Sequence, residues 1–261
     1  MYVEQLGSGD PDIAVVGGIH GDEPCGVHAV ETLIEEAPAV ERSVALVVAN
    51  EAAIERDVRY VDTDLNRSFP GDHDSEAHEE RLAAALVEEI GDCTTLALHS
   101  TQSYEDMFAL VDTVGEMERR ICAHLSIDAV VETHRINEGR IFSGIPETVE
   151  LECGYQRSER ARANAVQVTR EFLRTVDALP GGHERPRAEI PMFDLGDPIP
   201  KAMGEVYEVF ANNFEPVAAG EAFAATDGDP VVAETAFHPV LLSPEGYENV
   251  FGYMANPVGT I

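Results

Sequence analysis

The chain has 261 residues, enough for one medium domain or a larger domain with a small companion. Its 49 acidic residues against 17 basic ones give a formal net charge of -32, a field that repels nucleic acid and anionic membrane surfaces and leaves neither as an expected partner. At 44% hydrophobic the chain is too apolar for a disordered acidic protein, no run is long enough to cross a bilayer, and Met1 to Gly9 lacks the basic start and apolar stretch of a signal peptide; a soluble, cytoplasmic protein is expected.

Lys201 is the only lysine, so the acidic surface is of the kind halophilic proteins carry, with salt screening its self-repulsion. The cysteines Cys25, Cys93, Cys122 and Cys153 form no C-x-x-C pair and read as buried free thiols.

In chain order, Asp12 to Gly17 reads as a buried strand. Glu23 to Glu36 follows as a helix with Val27, Val30, Leu33 and Ile34 on one face. Between them, Gly17-Gly18-Ile19-His20-Gly21-Asp22-Glu23-Pro24 sits where ligand sites of α/β sheets gather, beyond the carboxyl end of a strand. His20 and Glu23 can converge on one ion there. The segment alone equally fits a glycine turn whose acidic residue favours the helix dipole.

Ser43 to Ala49 reads as a second strand. Arg59 to Gly71 then carries Arg59, Asn66 and Arg67 in an otherwise acidic chain; guanidinium groups bind carboxylates and stabilise oxyanions, or pair with Asp62 and Asp64 in a loop. Ser75 to Ile90 is an amphipathic helix with Leu82, Leu86 and Ile90 in register. Thr94 to Leu98 is a strand, and His99 at its end supplies the second imidazole of a two-histidine, one-carboxylate zinc set with His20 and Glu23. Six other histidines and His183 receive no role.

Phe108 to Val111 reads as a strand, Glu116 to Leu125 as a helix, and Thr148 to Glu152 as a strand. Alternation puts Glu150 and Glu152 on one face of that last strand, and Glu152, just before Gly154, can project into a cleft as a general base or lie on an edge facing solvent. Ser158 to Val176 is a long helix. Strands alternating with helices predict an α/β fold with a largely parallel or mixed sheet over residues 1–180. Past the breaker cluster Pro180, Gly181 and Gly182, short runs at Gly204 to Phe210, Glu221 to Ala225, Val231 to Thr235 and Val240 to Leu242 predict a small β-rich domain over 181–261.

Four ordered segments together resemble the succinylglutamate desuccinylase/aspartoacylase family within the zinc carboxypeptidase-like fold. They are G-x-H-G-x-E at Gly18 to Glu23, D-x-D-x-N-R-x-F-P-G at Asp62 to Gly71, L-H-x-T at Leu98 to Thr101, and E-x-G at Glu152 to Gly154. A weaker likeness runs through His238-Pro239-Val240-Leu241 and Glu245-Gly246-Tyr247. The resemblance implies a mixed sheet flanked by helices and hydrolysis of a small N-acyl amino acid, of N-succinyl or N-acetyl type, with Zn2+ held by His20, Glu23 and His99. It further implies Glu152 as general base and later proton donor, Arg59 polarising the scissile carbonyl, and Asn66 with Arg67 holding the α-carboxylate. Tyr247 would reach in from the β-rich domain, which caps the cleft, and Arg140 would hold a second substrate carboxylate.

The chain departs from the family pattern at Ala97, where an aspartate often stands two residues before the ligand histidine, and at Tyr155-Gln156. The rival readings are a zinc carboxypeptidase acting on peptides, against which the cap argues, and a non-catalytic zinc-binding protein, against which Glu152 and Arg59 argue.

Overall fold

The structure is a computed structural model and describes residues 1–136, 139–182, 186–187 and 189–261. His183 lies outside the described residues. In chain order the elements are β1 (Tyr2–Leu6), β2 (Ile13–Gly17), α1 (Pro24–Glu36), β3 (Val44–Val48), α2 (Glu51–Arg56), α3 (His78–Ile90), β4 (Thr94–Thr101), β5 (Phe108–Val111), α4 (Glu116–Cys122) and β6 (Val130–Glu132). They continue with β7 (Thr148–Tyr155), α5 (Glu159–Thr175), β8 (Pro191–Pro200), β9 (Tyr207–Val209), β10 (Ala222–Thr226), β11 (Asp229–Val232), β12 (His238–Val240) and β13 (Val250–Thr260).

Among the described residues ten strands form one mixed sheet in the order β1-β3-β2-β4-β7-β5-β6-β8-β13-β12. Its middle, β3-β2-β4-β7, is parallel. Strands β2 and β3 are continuous apolar runs because both faces of the sheet are covered. Alternate residues of β2 serve the two layers. Ile13 and Val15 pack with Val30 and Leu33 of α1 and with Phe172 of α5. Ala14 and Val16 pack on the other side with Leu82, Leu86 and Ile90 of α3. The expected α/β architecture of a mixed sheet between helical layers is thus the observed one.

The tail differs from a simple reading of its short runs. Strands β8, β13 and β12 extend the large sheet, whereas β9, β10 and β11 form a separate three-stranded sheet. Strand β8 enters through a parallel pairing with β6, and β13 returns antiparallel to β8. Residues 181–261 therefore contribute to both sheets.

Strand β4 also runs further than its apolar core suggests, to Thr101, so His99 lies inside its last turn of pleat. Strand β7 lies between β4 and β5, not at an edge. In the parallel register His99 stands opposite Glu152, and Ala97 opposite Glu150. That register carries the candidate site.

Candidate active site

The carboxyl ends of β2, β4 and β7 lie side by side and present their chemistry to one cleft. The turn from β2 into α1 is held by close backbone approach: Gly18 has φ +71°, and a Cβ on Gly21 would run into the Ala53–Ile54 backbone. Pro24 opens α1, where its missing N–H costs nothing, so Glu23 sits at the helix N-cap with its side chain turned to the cleft.

His20, Glu23 and His99 are all buried, and their ligand atoms lie within 4.8 Å of one another. Both imidazoles use the same nitrogen toward Glu23: His20 Nδ1 is 2.8 Å from its Oε1, and His99 Nδ1 is 3.1 Å from its Oε2. The Nε2 atoms point away, to Asp64 Oδ1 at 3.1 Å for His20 and to Glu150 Oε1 at 3.5 Å for His99. A carboxylate behind each imidazole is the arrangement that fixes the tautomer of a metal-ligating histidine.

The donor set fits a zinc ion. Two imidazole nitrogens and one carboxylate are the ligands a catalytic zinc commonly takes, with a fourth position open. The electrostatics fit as well, since four carboxylates, Glu23, Asp64, Glu150 and Glu152, surround the two imidazoles. Burial alone would push the Glu23 carboxyl up, but His20 and His99 hold it well below the usual range. Burial would lower the His99 imidazole, but Glu150 and Glu23 hold it well above its ordinary value. A divalent cation would take the place of the positive charge that these carboxylates demand.

Around this centre the arginines are individually tied. Arg59 donates through Nη1 to Glu23 Oε1 and through Nε and Nη2 to Asp64 Oδ2, each at 3.1 Å. Against the opposing effect of burial, His20 and Arg59 keep Asp64 far below the ordinary carboxylate range. Asp64 also accepts from the Asn66 amide, closing the turn that carries Asn66 and Arg67. Arg140 donates to Glu150, which is fully buried, and Asn66 Nδ2 donates to the other Glu150 oxygen. Burial pushes Glu150 up, but Arg140 and His99 bring it far down. Arg67 is exposed and donates to the Asn66 carbonyl at 2.6 Å.

Glu152 behaves differently. Its Oε2 is buried with no hydrogen-bond partner among the described residues. Burial pushes its carboxyl up to about 7, with Glu23 and Glu150 adding to the rise and His99 and His20 opposing it. A carboxyl poised there can both accept and return a proton near neutrality.

The cleft wall includes every residue singled out from the sequence: His20, Glu23, Arg59, Asn66, Arg67, His99, Arg140, Glu152 and, from the tail, Tyr247. Sequence reasoning gave no site role to Asp64 or Glu150. Asp64 was visible only as a possible loop salt bridge. Glu150 carried one usable signal, its place on the same strand face as Glu152. The tail also contributes Leu241, Ser243 and Gly246 to the wall.

A sequence profile for the succinylglutamate desuccinylase/aspartoacylase catalytic domain matches residues 9–179. A probable aspartoacylase of Prochlorococcus marinus subsp. pastoris is 36% identical over 81 residues, 30% of this chain and 28% of that protein. A succinylglutamate desuccinylase of Pseudomonas aeruginosa is 34% identical over 96 residues, 34% of this chain and 29% of that protein. The matched segments thus span under a third of either relative. Murine aminoacylase 3 superposes with a TM-score of 0.75 at 20% identity, covering 97% of this chain and 98% of its own. A succinylglutamate desuccinylase from Silicibacter sp. gives 0.75 at 19% identity, covering 98% and 88%. These superpositions establish a shared fold.

Proposed function

The chain belongs to the succinylglutamate desuccinylase/aspartoacylase family, and from that membership we propose that it is a zinc-dependent hydrolase cleaving the amide bond of a small N-acyl amino acid, of N-acetyl or N-succinyl type. The observation that carries this reading is the convergence of a buried His20–Glu23–His99 triad with an unpartnered Glu152 carboxyl in one cleft. When bound by His20, Glu23 and His99, a zinc ion would supply Lewis acidity and an acidified water.

The chain's own groups do the rest. Glu152 takes a proton from the attacking water and returns it to the leaving nitrogen. Arg59, fixed by Glu23 and Asp64, directs its guanidinium to the carbonyl oxygen as charge develops there. Arg67 and the second N–H of Asn66 Nδ2 hold the α-carboxylate of the amino acid. Tyr247 closes the far side of the cleft from the tail. We assign catalysis to residues 1–180 and the capping of the cleft to 181–261. A cap of this kind favours short substrates over the peptides a carboxypeptidase takes, and a protein that merely stores zinc needs neither Glu152 nor Arg59. No helix among the described residues is long and apolar enough to cross a membrane.

Arg67→Lys tests the α-carboxylate clamp. Lysine keeps the charge but loses the planar fork. The variant is expected to raise KM for an N-acyl amino acid by about tenfold or more, with a smaller change in kcat, because the contact is made to a group that does not react. An unchanged KM in steady-state assays contradicts the clamp.

A further inference from the structure

We propose that this site selects N-acyl amino acids bearing a single carboxylate and discriminates against dianionic ones, because Glu150 already neutralises Arg140. The proposal rests on the deacylase reading and narrows it to acyl groups without a charge of their own, of the N-acetyl type, because every N-succinyl amino acid carries two carboxylates.

Three guanidiniums line the cleft, at Arg59, Arg67 and Arg140. Arg59 is engaged by Glu23 and Asp64. Arg140 is engaged by Glu150. Among the described residues no carboxylate oxygen lies within ion-pair distance of Arg67. One carboxylate of a substrate therefore meets a guanidinium not already paired; a second does not.

The Arg140–Glu150 pair is not free to reopen. Glu150 has no solvent exposure, and only 7% of the Arg140 side chain is exposed. Turning Arg140 toward a ligand would leave a buried charge unpaired, which costs far more than parting a surface pair. Glu150 is held from its other side by Asn66 Nδ2, whose Oδ1 accepts from the Ile141 amide beside Arg140. Its Oε1 also faces His99 Nε2, which makes no hydrogen bond of its own. Ala97 lies opposite Glu150 in the β4–β7 register, so the carboxylate behind His99 comes from the neighbouring strand. That same carboxylate cancels the arginine.

The rest of the wall agrees. Apart from Glu23, its carboxylates are Asp22 and Glu152. Asp22 Oδ1 is buried without a hydrogen-bond partner. Thr101, Gln102, Ser103, Gln156 and Ser243 supply neutral polar groups. A second substrate carboxylate near Arg140 would lie close to Glu150 as well, and like charges at that range repel. A neutral side chain and a neutral acyl group meet no such opposition.

The test uses the full chain with zinc supplied and substrates matched in size. N-acetylasparagine is compared with N-acetylaspartate, and N-succinamoylasparagine with N-succinylasparagine. In each pair the neutral member is expected to have kcat/KM at least about tenfold higher, a difference of about 1.4 kcal/mol. Product binding by calorimetry gives a readout apart from turnover, with asparagine bound more tightly than aspartate. Glu150→Gln keeps the shape and frees the Arg140 charge, so the ratio within each pair is expected to narrow or invert even if overall activity falls. Preference for the dianion in the unaltered protein overturns the proposal without touching the deacylase reading. So does a ratio that Glu150→Gln leaves unmoved. Turnover of no member of either pair overturns the deacylase reading, and the selectivity falls with it.

Discussion

Replacing Glu152 by glutamine is expected to lower kcat by about 100- to 10,000-fold, the usual contribution of a general acid–base group, while the protein keeps its metal. Glutamine fills the same space on β7 and leaves the pairing with β4 intact, so the fold and the nearby His99 should be unaffected. What it removes is the ability to carry a proton. The Glu152 Oε2 has no hydrogen-bond partner to lose, and its carboxyl, raised by burial to about 7, is the group in the cleft suited to proton traffic near neutrality. KM should move less than kcat, because the group acts on the reacting atoms and not on the bound carboxylate. Near-normal turnover would remove Glu152 from the mechanism. Loss of metal from a folded Glu152→Gln protein would make it a ligand instead.

The second large effect concerns the metal itself. Elemental analysis of the purified protein is expected to find about one zinc per chain, and His20→Ala and His99→Ala should each lose most of it. The two histidines meet different oxygens of the Glu23 carboxylate, so neither can substitute for the other. Both variants also leave a partly unbalanced group of buried carboxylates, so some loss of thermal stability is expected beside the loss of zinc. Metal content should therefore be read on protein shown to be folded by circular dichroism. Undiminished zinc in both folded variants would rule out this ligand set.

Much of the fold was legible because the central strands are unambiguous. Ile13 to Gly17 and Val44 to Val48 are buried at every position, and the first is followed by a glycine turn and a segment with helical spacing. The proposed ligand residues could be singled out for a related reason: His20, Glu23 and His99, which the fold brings together, stand at or near strand ends, where ligand sites of α/β sheets gather. The roles of Asp64 and Glu150 were not legible, since each is defined by a partner distant in sequence. Glu150 meets His99 only because β4 and β7 pair in one particular register, and that register is fixed by nonlocal packing. The tail was harder for a different reason. Strand β8 carries Pro191, Pro198 and Pro200, which argue against a strand by propensity. Its pairing with β13 accommodates them through irregular register shifts along both strands. Strands β1 and β6 and helix α2 are short, and nothing in their periodicity distinguishes them from loops.

The central claim is that the cleft hydrolyses small N-acyl amino acids. The most direct test is kcat/KM for an N-acyl derivative of a neutral amino acid beside a tetrapeptide ending in the same residue, both measured on the zinc-supplied protein. The two substrates share the terminal carboxylate that Arg67 is assigned to hold and differ in the length of what lies on the acyl side, which a cleft capped by the tail would limit. The account predicts efficient cleavage of the N-acyl amino acid and kcat/KM lower by about 100-fold or more for the tetrapeptide, the range open to an enzyme that excludes the larger substrate sterically. Preference for the tetrapeptide would contradict it and identify the chain as a carboxypeptidase.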